Sequence, residues 1–511
     1  VICVAFGIIF SVAALAAERS TPARTITGDL TLDDAVQLAL KQNPNLLKAL
    51  QQIQVTRGKA IEVRAQALPR VTINGNYDQQ ALSLVEFKSR SNSSTSTAST
   101  TAPITLNGTQ TSNSATATPS AAQIATFQTA PGSTSQSQST SFFADKSWQV
   151  TVQGTQALYA GGKIRAAITA AKFTEDASYF SLRNVLDQTI ATVRQQFYTV
   201  LLTRGLIQVQ EESVKLLGNQ LKDQQNRFNA GAVPRFNVLQ AEVALANQQP
   251  NLIRARNDYL IAQYQLAKTL NVDPGPQGEP PFHAVGELAV HERPIALAEA
   301  IRLGVERRPF LKVQRLSILT RKEEVKVALA GYKPQLDAKG GYRLRNSRFS
   351  ENLDDTVDGW FFGFTGKWNI FDGLETYGKV MSARASMESA KVNYDDSVHQ
   401  VELEVQQAYA NLQTARETIR SQQKTVEQAR ESLRLAQERL GAGAGTQLDV
   451  LNAQVQLTTA SSTELQARAS YNTALAEFDR VTATDTVYAE TFDDPLTRRP
   501  RKNPPEPARA K

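Results

Sequence analysis

The sequence predicts a mostly α-helical protein with a transmembrane β part, built from two copies of one plan. Three observations predict it. A twenty-residue stretch occurs twice, helical patterning runs for more than sixty residues in each half, and four short segments alternate apolar with polar side chains.

The duplication comes first. RFNAGAVPRFNVLQAEVALA (Arg227 to Ala246) and RLGAGAGTQLDVLNAQVQLT (Arg439 to Thr458) are identical at nine of twenty positions, at an offset of 212. Upstream, LTLDDAVQLALKQNPNL (Leu30 to Leu46) corresponds to IALAEAIRLGVERRPFL (Ile295 to Leu311) at an offset of 265. That offset carries Pro44 onto Pro309, Pro69 onto Pro334 and Tyr77 onto Tyr342, but Trp148 falls on Trp360 at 212. The difference places a 53-residue insertion between Tyr77 and Trp148. From Ser89 to Ser141, 27 of 53 residues are Ser or Thr, so the segment 80–145 has little to bury and reads as a polar loop. Residues 30–270 form the first repeat and 295–485 the second, joined by a Pro/Gly-rich connector at 271–294 without regular period. Each repeat reads helix, strand, loop, strand, very long helix, Gly-rich break, helix.

The long helices are clearest in the second repeat. Val401, Val405, Ala408, Leu412, Ala415, Ile419, Gln422, Val426, Ala429, Leu433, Ala436 and Leu440 recur in alternating steps of three and four. This is the seam of a coiled coil, with Gln422 its one polar member. Leu374–Leu440 and Gly162–Phe228 each span 67 residues, roughly 100 Å at about 1.5 Å per residue. Pro250 interrupts the next helical pattern, where a kink is expected.

The strands are expected near 70–79, 147–156, 336–345 and 359–368. Val71, Ile73 and Tyr77 alternate with Thr72, Asn74, Asn76 and Asp78; Leu336, Ala338, Tyr342 and Leu344 alternate with Asp337, Lys339, Arg343 and Arg345. Trp360, Phe362 and Phe364 share a face, with Phe361 breaking the rule. Two hairpins on a soluble core would show this pattern, but nine or ten residues also suit a tilted membrane strand. Charges on the polar faces then fit a wet lumen, and Trp148, Trp360 and Trp368 fit the bilayer interface. Four strands cannot close alone: single-chain bacterial barrels begin at about eight, and open edges are not tolerated in hydrocarbon. Two chains would supply eight strands and three would supply twelve.

The ends and the chemistry-bearing residues narrow the function classes. VICVAFGIIFSVAALA resembles the apolar core and cleavage site of a secretory signal at 1–16, with an incomplete basic start. A transmembrane helix is the other reading, for which the run is short. Cys3, the sole cysteine, lies inside it. Of the +7 formal charge, +5 sits in the Pro-rich tail from Arg498 to Lys511, within the expected disordered segment 486–511. No basic stripe with stacking aromatics marks the body, so nucleic acid is not an expected partner. His283, His291 and His399 form no cluster with metal-ligand spacing, and neither Gly161-Gly162 nor the glycines of 441–445 sit in a nucleotide-binding context. No catalytic residue and no cofactor is expected.

Together, DDAVQLALKQNPNL and AEAIRLGVERRPFL, Pro69 and Pro334, ALYAGGK and NIFDGLE, and the breaks with NVLQAEV and DVLNAQV resemble the TolC family. These are outer membrane factors of tripartite efflux pumps and type I secretion systems, and the resemblance spans Leu30 to Val481. It implies a homotrimer in the bacterial outer membrane, with a 12-stranded barrel continued by a helical periplasmic tunnel. Pro69 and Pro334, with Gly161 and Gly373, would mark the barrel-tunnel junction. The two breaks would be helix tips that meet a periplasmic adaptor, and through it an inner membrane transporter. Arg227, Phe228 and Gly231, and Arg439, Leu440 and Gly443, would take part; Arg227 and Arg439 could equally only cap helix carbonyls. Gly231, Gly441, Gly443 and Gly445 would allow positive φ at these turns. Asp449 would line the periplasmic entrance or serve as an N-cap, and Asn452 stands where family members often carry a second Asp. The expected function is a passive exit duct for drugs and toxic compounds. A duct for secreted protein is one alternative, and a non-conducting trimeric stalk or adhesin another.

Overall fold

The computed structural model describes residues 28–79, 146–273, 280–290, 296–346 and 353–484. The expected leader, the Ser/Thr-rich insertion, part of the connector and the basic tail lie outside these residues. The helices are α1 (Leu32–Gln42), α2 (Pro44–Ala65), α3 (Lys163–Asn229), α4 (Arg235–Leu270), α5 (Leu297–Arg307), α6 (Pro309–Leu329), α7 (Glu375–Gly441) and α8 (Gln447–Thr482). The strands are β1 (Gly28–Leu30), β2 (Arg70–Gln79), β3 (Lys146–Ala160), β4 (Phe282–Ala284), β5 (Gln335–Asn346) and β6 (Thr356–Lys367). Two compact units divide them. One takes the described residues up to Arg57, those from Glu175 to Ile318 and those from Glu388 onward; the other takes those from Gly58 to Thr174 and from Leu319 to Met387.

The first unit is helical. Each repeat opens with two helices rather than the single one its apolar pattern predicts. The residues before Pro44 and Pro309, Asn43 and Arg308, have ψ of 125° and 122°. Proline pushes its predecessor out of the helical region, which ends α1 and α5. Asn43 then accepts from the amide of Asn45 at 2.9 Å, and its Nδ2 donates to the Thr269 carbonyl at 2.8 Å.

The heptad seam of α7 is the buried stripe. Val401 and Val405 pack with Ala300, Leu311, Phe478 and Val481. Farther along, Ala415 and Ile419 meet Ala467 and Tyr471, Val426 and Ala429 meet Ala460, and Leu433 meets Val450 and Ala453. In the first repeat, Leu186, Ile190, Val193 and Phe197 of α3 pack with α1 and with Leu266 and Leu270 of α4. The connector is not wholly irregular: Phe282–Ala284 pairs in parallel with Gly28–Leu30. Three residues are too few to show a period, but Phe282 and Ala284 are fully buried and close this core.

Two charged side chains, Arg308 and Asp479, are buried here too, each beside a partner of opposite sign. Arg308 meets Glu404 at 2.5 Å, and Arg480 meets Glu477 at 2.6 Å. Arg480 also lies 3.8 Å from Glu404, and Arg194 lies 3.5 Å from Asp479.

The second unit is built on an antiparallel sheet of order β2-β3-β5-β6. Register aligns Ile73, Val152, Tyr342 and Trp360 in one row across all four strands. The neighbouring row on that face is Val71, Gly154, Gly340 and Phe362. The opposite face carries Asn74, Thr151, Arg343 and Gly359 in one row. The apolar face is uncovered: Ile73 is 72% and Trp360 84% exposed. β3 runs on to Ala160 because a register shift between Ala157 and Tyr159 absorbs the break in alternation there. β6 starts at Thr356, opposite Asn346, and ends at Lys367. Trp368 lies beyond it, its indole N–H donating to the Tyr332 carbonyl at 3.1 Å. Pro69 and Pro334 immediately precede β2 and β5, where a missing N–H costs no ladder bond.

Candidate functional site

The two Gly-rich breaks are the turns between α3 and α4 and between α7 and α8, and they share one backbone solution. The amide of Ala232 donates to the Arg227 carbonyl at 2.8 Å, and that of Gly231 to the Phe228 carbonyl at 2.9 Å. In the second repeat, Ala444 donates to Arg439 at 2.8 Å and Gly443 to Leu440 at 3.2 Å. This pair of bonds, with a left-handed residue between, is the Schellman termination of a helix. It requires glycine at Gly231 (φ 75°) and Gly443 (φ 74°). The recurring Arg-hydrophobic-x-x-Gly pattern thus has a backbone reason for its glycine, but none for its arginine or hydrophobe.

Gly441 and Gly445 do not take positive φ, contrary to the expectation from sequence. Gly441 ends α7 inside the helix. Gly445 serves closeness instead, since an added Cβ would stand 3.1 Å from both the Arg439 Cβ and the Leu440 amide nitrogen.

The side chains at the two turns differ. Arg227 does not cap its helix; its Nε sits 2.9 Å from Asp223, one turn back. Arg439 reaches the Ala444 carbonyl at 3.5 Å, the long edge of a hydrogen bond. Phe228 is 41% exposed, whereas Leu440 leans on the cluster of Leu433 and Val450.

Asp449 is not the N-cap of α8. Thr446 holds that position, accepting from the Asp449 amide at 3.2 Å, while the Asp449 carboxylate accepts from the Thr446 amide at 2.9 Å. This reciprocal capping box ties the carboxylate to its own helix start. The Thr446 amide and hydroxyl, helped by the Arg439 charge, hold the Asp449 carboxyl below the usual aspartate range. Asp449 stays ionised and exposed, facing a groove of about 920 Å³ that also takes in Glu427, Glu431, Arg439 and Asn452.

Sequence reading missed a polar seam joining α3 to α8 beside these turns. Gln224 donates to Gln447 at 3.1 Å with both side chains buried, and Gln454 donates to the Ser213 carbonyl at 3.2 Å. The contacts span more than two hundred residues, so no local period could show them.

At the other expected junction, Gly161 and Gly162 follow β3 with φ of 60° and 88°. Gly373 and Leu374 stand at the same places in the second repeat with φ of 64° and 70°. Asp372 precedes α7, accepting from the Thr376 hydroxyl and from the Thr376 amide at 2.9 Å, and these two bonds, the hydroxyl first, hold its carboxyl below the usual aspartate range. Among the described residues, no group of His, Cys, Asp and Glu is placed to hold a metal ion. No helix among them is long and apolar enough to cross a membrane.

Comparison with known proteins agrees with this architecture. The family model for outer membrane efflux protein matches residues 35–130, 126–272 and 300–484. The protein CyaE of Bordetella pertussis is 26% identical over 247 residues, 47% of this chain and 50% of that protein. The chain thus matches about half the length of this curated relative. A crystal structure of a membrane protein from Pseudomonas aeruginosa superposes with a TM-score of 0.67 at 19% identity, covering 90% of this chain and 91% of that one. The Campylobacter jejuni CmeC outer membrane channel gives a TM-score of 0.68 at 17% identity, covering 91% and 90%. The open state of the Neisseria gonorrhoeae MtrE outer membrane channel gives 0.61 at 19%, covering 88% of each. Duplicated helices, paired hairpins and the family match over most of the chain lead to one conclusion: this protein belongs to the outer membrane efflux proteins of the TolC family, which are transport channels and not enzymes.

Proposed function

We propose that three copies of this chain close a 12-stranded barrel in the bacterial outer membrane, continue it as a helical tunnel into the periplasm, and serve as the exit duct of a tripartite efflux pump. One observation carries the reading. The sheet β2-β3-β5-β6 has an uncovered apolar face, with Val71, Ile73, Trp360, Phe362 and Phe364 all more than 60% exposed. Lipid is the environment that suits such a face, and lipid demands that β2 and β6 find partners. Copies of the same chain supply them.

The turns at Gly231 and Gly443 would meet the adaptor through Arg227, Phe228, Arg439 and Leu440. Asp449 would stand at the periplasmic entrance, with Asn452 neutral one residue short of a helical turn away. Pro69, Gly161, Pro334 and Gly373 would set the junction of barrel and tunnel. The cargo would be small toxic molecules, chosen by the inner membrane pump. Disruption of the chromosomal copy tests this: drug susceptibility should rise and be restored by the intact chain but not by one with Gly443→Pro. Unchanged susceptibility to every pump substrate tried, with a secreted polypeptide held back instead, would move the reading to protein export.

A further inference from the structure

The polar face of the sheet has a charge bias that the duct reading alone does not require. Register puts Arg70, Lys339, Arg343, Arg345 and Lys367 on this face, against only Asp78 and Asp337. Among the described residues, no ion pair joins any of the five to a carboxylate. The face is also arranged to keep two of the cations uncovered. Arg343 and Lys339 lie directly across from Gly359 and Gly363 on β6, so the β6 positions paired with them carry no side chain. Between those two rows stands Phe361, the residue that breaks the alternation of β6, paired with Gly341. An added Cβ at Gly341 would meet the Phe361 ring at 3.0 Å, and the Val152 carbonyl at 2.2 Å, so this position has to stay open. The Arg343 guanidinium lies 5.0 Å from the Phe361 ring centroid, within cation–π range. Phe361 thus acts as a positioning residue that holds one cation in place, with Lys339 on its other side.

We propose that this face is a selectivity surface for anions, and that the solutes favoured in transit are organic anions carrying carboxylate, sulfonate or phosphate groups. The inference rests on the reading that the polar face lines a water-filled lumen. Three copies would set nine cations from Lys339, Arg343 and Arg345 around one opening. Uncompensated charge of one sign on a low-dielectric wall concentrates counter-ions and is weakened by salt.

The test uses Gln153→Cys, a position in the Phe361 row and diagonal to both Lys339 and Arg343, in the full chain with Cys3→Ser. Reaction rates with an anionic sulfonatoethyl and a cationic trimethylammonioethyl methanethiosulfonate are compared, each normalised to a free thiol, and conductance is recorded on the same channels. The anionic reagent should win by on the order of tenfold at low salt. Lys339→Gln with Arg343→Gln should bring the ratio close to one, and 1 M salt should do the same. Phe361→Leu should lower the preference without abolishing conductance. Equal or reversed rates in a conducting channel would overturn the proposal and leave the duct standing. A thiol closed to both reagents, in a protein that does not conduct, would sink both.

Discussion

Gly231 and Gly443 occupy the same left-handed corner, at φ 75° and 74°, in two turns 212 residues apart. Each closes its helix by donating to the carbonyl three residues back. Nothing lies within 4 Å of the Cβ that either would gain, so alanine there is opposed by backbone conformation and not by crowding. Each Gly→Ala change should cost about 1 kcal/mol, and the two should add, because the sites share no partner. Denaturant titration of the single and double variants checks both the size and the additivity.

The capping box of α8 gives a pH signature. Because the folded Asp449 carboxyl titrates below its unfolded value, its contribution is complete above the ordinary aspartate range and is lost as pH falls through the folded value. The stability gap between the natural chain and Asp449→Asn should therefore be constant near neutrality and shrink below about pH 4. Thr446→Ala removes the other arm and should cost about 1 kcal/mol at neutral pH. Unfolding midpoints followed across pH 3 to 7 distinguish the two.

Gly161 and Leu374 predict opposite responses. A Cβ at Gly161 would meet the Lys333 Cβ at 2.8 Å and the Ala330 carbonyl at 2.9 Å, and φ there is 60°. Gly161→Ala should therefore be severely destabilising, by about 2 kcal/mol or more. Leu374 already carries a side chain at φ 70°, where the first repeat has Gly162. Leu374→Gly relieves that strain and should be neutral or stabilising, and thermal unfolding of the two variants beside the natural chain checks both signs.

Glu404→Ala would leave the buried Arg308 guanidinium without its 2.5 Å partner. Stranding one member of a buried pair costs about 3 kcal/mol. Glu404→Ala combined with Arg308→Met should recover much of it, which a double-mutant cycle measures directly.

Much of this architecture was legible in the sequence, because the two periods involved are long or repeated. The seam from Val401 to Leu440 shows itself through six heptads, and the alternation at Val71–Tyr77 and Leu336–Leu344 marks sheet faces. The tips were visible as repeated glycines, yet only Gly231 and Gly443 use positive φ. What Gly445 does depends on the approach of Arg439 and Leu440, which no spacing rule encodes. The capping box at Thr446 and Asp449 is written in the sequence as a Thr-x-x-acid pattern, but Asp449 also suits an N-cap or an entrance residue, and only the helix start at Gln447 decides between them. Gln224 with Gln447, and Arg308 with Glu404, join remote parts of the chain, so only folding brings them together. The β4 segment was too short to declare itself.

The mass of the particle purified in detergent tests the central claim most directly. Light scattering with the detergent contribution subtracted should give three chains per particle, unchanged on dilution, with heat-dissociable bands on gels. A single chain per particle, dispersed in plain buffer with Trp360 and Phe362 shielded from a water-soluble quencher, would contradict it.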